Sequence, residues 1–595
     1  MPLYRDRAPQ GSWRFSPALL MAVLLLPACA ATVAPSPPQD QQLAPEVSAV
    51  ETAPPVYRPF PVNSLFELLV AEFAGIRGDI EPAIEIYLNQ AYETRDPAVI
   101  ERAIRIASFV GLQDVVLNLA ELWVEVEPAE LDVRRLVAFH LARAGRVVEA
   151  FPHAEYLLLA GDDNHLQALA AFAVDTSDGE KDRLLALYEE LAVNYPDRVG
   201  LMLGRAMLLR QVNRPEESLA LAAQVIKADP GNETGQLLHA QLLHQVGQPT
   251  RAIRSLEKAL AEEPVSKRLR LQYARFLAET DLALSREQMV LLVEQFPEDP
   301  DLLFSLALAS QELGMSSEAE SLYQALIDRH QRTGDAHYQL GRLAEIDGSL
   351  PRALDHYRRV DSGSSMLAAT VRIVEILAGQ GDVLAASEHL ALLREAQPAN
   401  AATFFQIEAE MLVRTGRLAE ARHLLDSALE SQPGNPNLLY SRSVVSARQD
   451  DIESAEADLR AILVMDPDNA TALNALGYSL TTSTDRHHEA LELVGRALEL
   501  EPDNPAIIDS LGWVHYQLGN LAEALALLRR AYEAFPDPEV AAHLGEVLWM
   551  SGQHQEARRV WSEALDRPGD SHGVILDTMQ RLSGDAAAES GHGGD

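Results

Sequence analysis

Small and apolar positions recur along this chain in one pattern, at steps of 33 to 35 residues. A small residue is followed by Gly seven positions later, Ala five after that and Pro twelve further on, as at Gly512, Gly519, Ala524 and Pro536. Each unit carries an apolar stripe that only a stacked neighbour can bury. A fixed period of this length is typical of a solenoid of helix–turn–helix units, so the pattern predicts an all-α protein.

The small residue that opens each unit can be followed through most of the chain. It is clear at Ala206, Ala240, Ala274, Ala307, Gly341, Val374, Ala409, Ser443, Gly477, Gly512 and Gly545. It is fainter at Ala71, Ile104, Ala138 and Phe172. We therefore expect about 11 clear repeats and about 4 degenerate ones, each built from a first helix and a second helix.

The residue types at these positions have physical roles in a helix pair. A Gly or Ala in the first helix and an Ala in the second allow the two helices to approach closely. The Gly in the middle of the repeat favours the left-handed turn that ends the first helix. The Pro ends the second helix, and an Asp or Asn that often follows it can cap the next one.

The segment LGWVHYQLGNLAEALALLRRAYEAFP matches the Leu-Gly, Tyr, Gly, Ala, aromatic, Ala and Pro pattern of the tetratricopeptide repeat (TPR), which this chain therefore resembles. The resemblance implies a right-handed superhelical solenoid whose first helices line a concave groove. Residues 62–198 are expected to form degenerate TPR-like repeats and residues 199–571 the TPR array. Residues 572–595 are expected to form a capping helix and a disordered tail. The helix is expected from Val574 to Leu582, with Ile575, Met579 and Leu582 on its apolar face, and the tail is the sequence SGDAAAESGHGGD that follows.

The N-terminus has the features of an export signal. Arg5, Arg7 and Arg14 precede the apolar run PALLMAVLLL at residues 17–26. This run is too short for a permanent membrane helix, and with its positive flank it fits a secretory signal. The run leads into Leu-Pro-Ala-Cys, ending at Cys29, which resembles the bacterial lipobox.

The lipobox resemblance implies that residues 1–28 are a lipoprotein signal peptide and that Cys29 becomes the acylated first residue of the mature protein. Cys29 is the only cysteine in the sequence, and a free thiol or an intermolecular disulfide are the other interpretations of a lone cysteine in an exported protein. Residues 29–61 are expected to form a Pro-rich tether behind the lipidated cysteine. Because Ala30 rather than Asp follows the cysteine, the resemblance implies the periplasmic face of the outer membrane.

Charge and motifs narrow the class of function. The formal net charge of −39 argues against nucleic acid as a partner, because phosphate contacts need clustered Lys and Arg. The sequence contains no Gly-x-Ser-x-Gly, P-loop, GxGxxG or HExxH motif. We therefore predict a non-catalytic protein that binds other proteins, with no cofactor and no metal site.

The C-terminal repeats place polar and aromatic side chains at positions that line the groove in TPR arrays. These residues are Asn474, Tyr478, Asp509, Trp513 and Tyr516. Amphipathic aromatic side chains are frequent anchors for a bound protein segment, so we expect a partner to dock here. Tyr478 and Trp513 could equally pack against the adjacent repeat, and both interpretations are open from the sequence alone.

A basic cluster interrupts the acidic chain in the repeat around Ala274. Arg268 and Arg275 are seven residues apart, two helical turns, and so share the face that is expected to line the groove. Guanidinium groups bind carboxylates well, so the pair could hold a carboxylate of a partner. A solvated face paired to neighbouring acidic residues is the alternative.

A narrower resemblance rests on the segments NALGYSL, NPAIIDSLGWVHYQLGNLAEAL and PDPEVAAHLGEVLWMSGQHQEARRVW, and on LLVAEFAGIRGDIEPAIEIYLNQAYETRDPAV near the start. They are similar to proteobacterial TPR lipoproteins that act as adaptors for periplasmic carboxyl-terminal processing proteases. The resemblance implies that the chain binds such a protease and delivers cell-wall hydrolases to it. Two alternatives are a scaffold for envelope machinery (pilus secretin, polysaccharide export or peptidoglycan synthase activation) and a peptide-binding chaperone.

Overall fold

The computed structural model describes residues 60–567 and 572–590. In this part of the chain it contains 31 α-helices, two short 3-10 helices and no strand, which confirms the all-α fold. The predicted signal peptide, Cys29 and all but the end of the Pro-rich tether lie outside the described residues. None of the described helices is both long and apolar enough to cross a membrane.

The chain divides into two compact units, and the boundary between Leu326 and Ile327 falls in the last turn of the helix Ser316–Asp328, which is counted here with the first unit. Eight helix pairs build the first unit. They are α1 (Ser64–Arg77) with α2 (Ile80–Thr94), α3 (Pro97–Val110) with α4 (Gln113–Val126), α5 (Leu131–Arg143) with α6 (Val147–Leu159), α7 (Asn164–Phe172) with α8 (Asp178–Asn194), α9 (Val199–Gln211) with α10 (Pro215–Ala228), α11 (Glu233–Gln245) with α12 (Pro249–Glu262), α13 (Lys267–Ala278) with α14 (Leu282–Gln295), and α15 (Pro300–Glu312) with α16 (Ser316–Asp328).

Seven helix pairs and a last single helix build the second unit. They are α17 (Thr333–Ile346) with α18 (Leu350–Tyr357), α19 (Met366–Gly379) with α20 (Val383–Ala396), α21 (Ala401–Arg414) with α22 (Leu418–Ser431), α23 (Pro436–Arg448) with α24 (Ile452–Met465), α25 (Ala470–Ser483) with α26 (His487–Leu500), α27 (Pro505–Gln517) with α28 (Leu521–Ala534), α29 (Pro538–Met550) with α30 (His554–Leu565), and α31 (His572–Ser590).

Glycines in the first helices lie where the second helix of the same repeat approaches most closely. A Cβ atom on Gly545 would lie 1.9 Å from Nε1 of Trp561, and one on Gly341 would lie 2.5 Å from Cε1 of Tyr357. Neither distance leaves room for a side chain. The predicted role of the small residue is therefore confirmed at these repeats.

The turn and cap residues also have their predicted roles. Gly519 and Gly552 have φ angles of 80° and 79°, the left-handed conformation that ends a first helix. In one repeat Asp450 takes this position, with φ of 62°. Asn504 accepts a hydrogen bond from the backbone N–H of Ala506 at 3.1 Å and so caps α27.

The last helix, α31, covers the end of the second unit. Its residues Ile575 and Leu582 are buried and join the core cluster around Trp561. The helix continues to Ser590, into the stretch for which the sequence predicted a disordered tail. Three consecutive alanines from Ala586 to Ala588 favour this extension, because Ala has the highest helix propensity.

Candidate functional site

A groove with a volume of about 830 Å³ lies in the second unit, between α23 and the start of α29. Most of the lining residues belong to the first helices of four successive repeats, α23, α25, α27 and α29. The polar, charged and aromatic residues among its lining are Tyr440, Ser443, Arg448, Asp450, Asn474, Tyr478, Ser479, Thr482, Ser483, Asp509, Ser510, Phe535, Asp537 and Glu539.

The lining of the groove is acidic. It includes four carboxylates, from Asp450, Asp509, Asp537 and Glu539, and one guanidinium, from Arg448. The rings of Tyr440, Tyr478 and Phe535 lie among these charges, and Phe535 is 57% exposed. The groove can therefore offer both apolar contact and negative charge to a ligand.

Tyr478 ties two repeats together across the groove. Its hydroxyl donates a hydrogen bond of 2.7 Å to Oε1 of Glu539, which is 61 residues away in the chain. Burial and the negative charge of Glu539 raise the pKa of Tyr478 well above its ordinary value. The phenol is therefore a hydrogen-bond donor at neutral pH, and it holds Glu539 at the groove wall.

Asp509 forms a buried pair with His543 on α29. The carboxylate Oδ2 lies 2.9 Å from Nδ1 of His543, and the two side chains are only 8% and 10% exposed. Burial disfavours the charged imidazole, but the charge of Asp509 and the hydrogen bond to it outweigh burial and raise the pKa of His543. The second oxygen of Asp509, Oδ1, has no hydrogen-bond partner within the described protein, and neither has Oδ1 of Asn474.

Of the five predicted groove residues, Asn474, Tyr478 and Asp509 line the groove, and Trp513 and Tyr516 do not. The Trp513 ring stacks on His543, with ring centroids 4.2 Å apart and 20° between the planes. The Tyr516 hydroxyl donates to Oε1 of Glu546 at 3.3 Å, and burial raises the pKa of Tyr516 to about 12. Both rings pack against the core of the following repeat.

The two predicted basic residues lie on α13, in the first unit. Arg268 is largely exposed, and its Nε lies 3.7 Å from Oε1 of Glu233. Arg275 is half-buried, its Nε has no hydrogen-bond partner, and burial lowers its pKa. The neighbouring Lys267 forms an ion pair with Asp299. Neither Arg268 nor Arg275 lines the groove of the second unit.

Other features were not predicted. Asp537 and Glu539 enter the groove from the repeat after Asp509, and only the three-dimensional stacking reveals this. On α1, several apolar side chains are exposed to solvent. The sequence signal for this is that the apolar residues of α1 are spread around more than one face of the helix. The exposed side chains are Leu65, Phe66, Leu69, Val70, Phe73 and Ile76. Within the described residues, no group of three or more His, Cys, Asp or Glu is placed to hold a metal ion.

Among the known proteins that resemble this chain, two show a limited likeness. The crystal structure of yeast Tom70 aligns with 89% of this chain and 96% of its own, at 14% identity and a TM-score of 0.34. The cellulose synthase operon protein C of Pseudomonas fluorescens is 27% identical over 295 residues, 46% of this chain and 23% of that protein.

Two family patterns, both described as tetratricopeptide repeat, match the chain at residues 304–366, 372–436, 408–470, 440–505 and 483–542. A protein named TPR repeat-containing protein PA4667, from Pseudomonas aeruginosa, is 40% identical over 532 residues. That alignment covers 89% of this chain and 90% of the relative. The chain belongs to the tetratricopeptide repeat family.

Proposed function

We propose that this protein is a non-catalytic scaffold that holds protein partners in the groove of its second unit. The observation that carries the proposal is the groove itself, about 830 Å³ in volume and lined by aromatic, amide and carboxylate side chains. TPR folds generally act as protein-binding scaffolds. A scaffold needs no reacting group; it acts by raising the effective concentration of one partner near another.

The more specific proposal is an adaptor role at the outer membrane. In this proposal Cys29 carries the lipid anchor and residues 29–61 act as the tether. The TPR array binds a periplasmic processing protease and presents cell-wall hydrolases to it. Support comes from the lipobox-like segment and from the resemblance of the C-terminal repeats to adaptor lipoproteins of such proteases.

Affinity purification of the full chain from detergent-solubilised membranes tests this proposal. We expect a processing protease to copurify and a cell-wall hydrolase to accumulate when the chain is deleted. A groove-blocking variant, Ser479→Trp, should lose the copurifying protein, because Ser479 lines the groove and is partly exposed. A control variant, Glu533→Trp, places the same indole side chain on α28, at an exposed position that does not line the groove. Full recovery of the partner with Ser479→Trp would contradict the assignment of binding to the groove.

A second candidate is a scaffold for envelope machinery such as polysaccharide export. The similarity to the cellulose synthase operon protein C, which extends over 46% of this chain, favours this candidate over a peptide-binding chaperone. The same purification separates the export scaffold from the protease adaptor. An export scaffold would copurify with components of a polymer synthase or exporter, and deletion would leave the level of the hydrolases unchanged.

A further inference from the structure

We propose that the groove selects a segment of its protein partner that carries a Lys or Arg side chain. The inference rests on the proposed function, that the groove holds a protein, and adds the chemistry of the recognised segment. The occupant is an extended or helical peptide segment with at least one cationic side chain directed at the carboxylates on the wall of the groove.

The first argument is charge. Four carboxylates and one guanidinium line the groove, and Arg448 lies at the end formed by α23, while Asp537 and Glu539 lie at the other end. When it is protonated, the imidazole of His543 offsets the charge of Asp509. The other charges of the lining are then three carboxylates, from Asp450, Asp537 and Glu539, and one guanidinium, from Arg448. A segment rich in Asp or Glu would be repelled by this lining, and a cationic side chain would be attracted.

The second argument is unsatisfied hydrogen-bond capacity. Oδ1 of Asp509 and Oδ1 of Asn474 are buried and accept no hydrogen bond from the described protein. A buried acceptor without a partner is destabilising, so a ligand that donates a hydrogen bond to it binds more favourably. Both atoms are acceptors, and they pair with ammonium, guanidinium or backbone N–H groups rather than with carboxylates. Both residues belong to the lining of the groove, so a ligand seated there lies next to these two acceptors.

The third argument is the aromatic lining. Tyr440 and Tyr478 are partly exposed and Phe535 is 57% exposed, and all three line the same groove as the carboxylates. An aromatic face attracts a cation, and the aliphatic stem of Lys or Arg packs well on a ring. Tyr478 is held in place by its hydrogen bond to Glu539, so one ring and one carboxylate form a fixed pair.

Binding of labelled peptides to the full chain in detergent tests the inference. The probes are three peptides of one uncharged Gly- and Ser-rich sequence, in which the central positions are Lys, Glu or norleucine. We expect the Lys peptide to bind best and its affinity to fall with added salt. The double variant Asp450→Asn with Glu539→Gln should weaken the Lys peptide about tenfold or more, because hydrogen bonds to charged groups contribute about 1.5–3 kcal/mol.

A matched double variant, Glu523→Gln with Glu533→Gln, removes the same charge from exposed positions on α28 that do not line the groove. It should leave binding of the Lys peptide unchanged. Equal loss in both double variants would show a general charge effect and overturn the inference. Equal or tighter binding of the Glu peptide would also overturn it.

Copurification of the native partner with the two groove variants distinguishes failure of this inference from failure of the proposed function. If the native partner still copurifies with Asp450→Asn and Glu539→Gln but is lost with Ser479→Trp, the groove holds a protein without selecting a cation. If the partner is retained in both variants, the groove is not the docking site. Loss of the partner in both variants, with the Glu523 and Glu533 control intact, supports both statements.

Discussion

Replacing Gly545 with Ala tests whether this glycine is needed for close packing of the two helices of its repeat. The substitution has two opposing effects on stability, a gain in helix propensity and a cost of overpacking. Gly545 lies within α29, and a Cβ there would be 1.9 Å from Nε1 and 2.3 Å from Cε2 of Trp561. Trp561 is only 1% exposed and packs in the core of the last repeat, so its neighbours restrict how far the ring can move. To restore normal contact distances, the Trp561 ring or the backbone of α29 must move by more than about 1 Å. Displacements of this size strain a close-packed core.

The magnitude follows from the difference of the two effects. Replacing Gly by Ala in a helix interior is worth about 0.5–1 kcal/mol of stabilisation. Overpacking of a close-packed core typically costs about 1–3 kcal/mol, and a rigid indole places this site at the upper end. We expect a net loss of about 1–2 kcal/mol. Gly512→Ala should cost less, because its new Cβ would meet the more flexible side chain of Leu528 at 2.8 Å.

Gly495→Ala is the matched control. Gly495 lies inside α26, and nothing lies within 4 Å of a Cβ built on it. This variant should gain about 0.5–1 kcal/mol, since only the helix propensity changes. Urea unfolding followed by tryptophan fluorescence measures both variants, and hydrogen exchange of α29 and α30 locates the effect. A Gly545→Ala protein as stable as wild type, or more so, would refute the assignment of this glycine to close helix packing.

Three further predictions concern the anchor, the buried pair and the aromatic residues. Cys29→Ala should leave the protein unprocessed or outside the outer-membrane fraction; normal maturation and fractionation would contradict lipidation. Because the pKa of His543 is raised above its ordinary 6.5, its pairing with Asp509 should stabilise fully below about pH 6 and be lost as the pH rises through the raised value. The stability difference between wild type and His543→Gln, measured by urea unfolding at several pH values, should shrink in that direction, and a difference that grows with pH would contradict the pair. Trp513→Ala with Tyr516→Ala should lower stability but leave partner binding of the folded protein unchanged, since both rings pack on the next repeat and do not line the groove; loss of partner binding in a double variant that is still folded would contradict this placement.

The repeat architecture could be predicted because it depends on short-range spacing. The distance in sequence from Gly545 to Trp561 is the same as from Gly512 to Leu528 and from Gly341 to Tyr357, so one spacing indicates the same contact between the two helices in these three repeats. The turn glycines follow from the left-handed φ that ends a helix. These features need no knowledge of how distant repeats are arranged.

The groove could be predicted only in part, because its contacts depend on how successive repeats stack. Asn474, Tyr478 and Asp509 follow from their register on the first helices. The hydrogen bond from Tyr478 to Glu539 joins residues two repeats apart, and no spacing rule within one repeat reveals it. Asp509 and Trp513 are one helical turn apart and lie on the same face of α27, so the sequence predicted the same role for both. In the structure Asp509 lines the groove, whereas Trp513 packs on His543.

Site-specific photo-crosslinking in the groove tests the central claim most directly. A photoreactive amino acid at Ser479, which lines the groove, is compared with the same amino acid at Glu533, which is exposed on α28 and outside it. Irradiated cells should yield a covalent adduct of this chain with a second protein from position 479 and none from position 533. Absence of an adduct at position 479, while a partner still copurifies with the chain, would contradict the claim that this groove holds the partner.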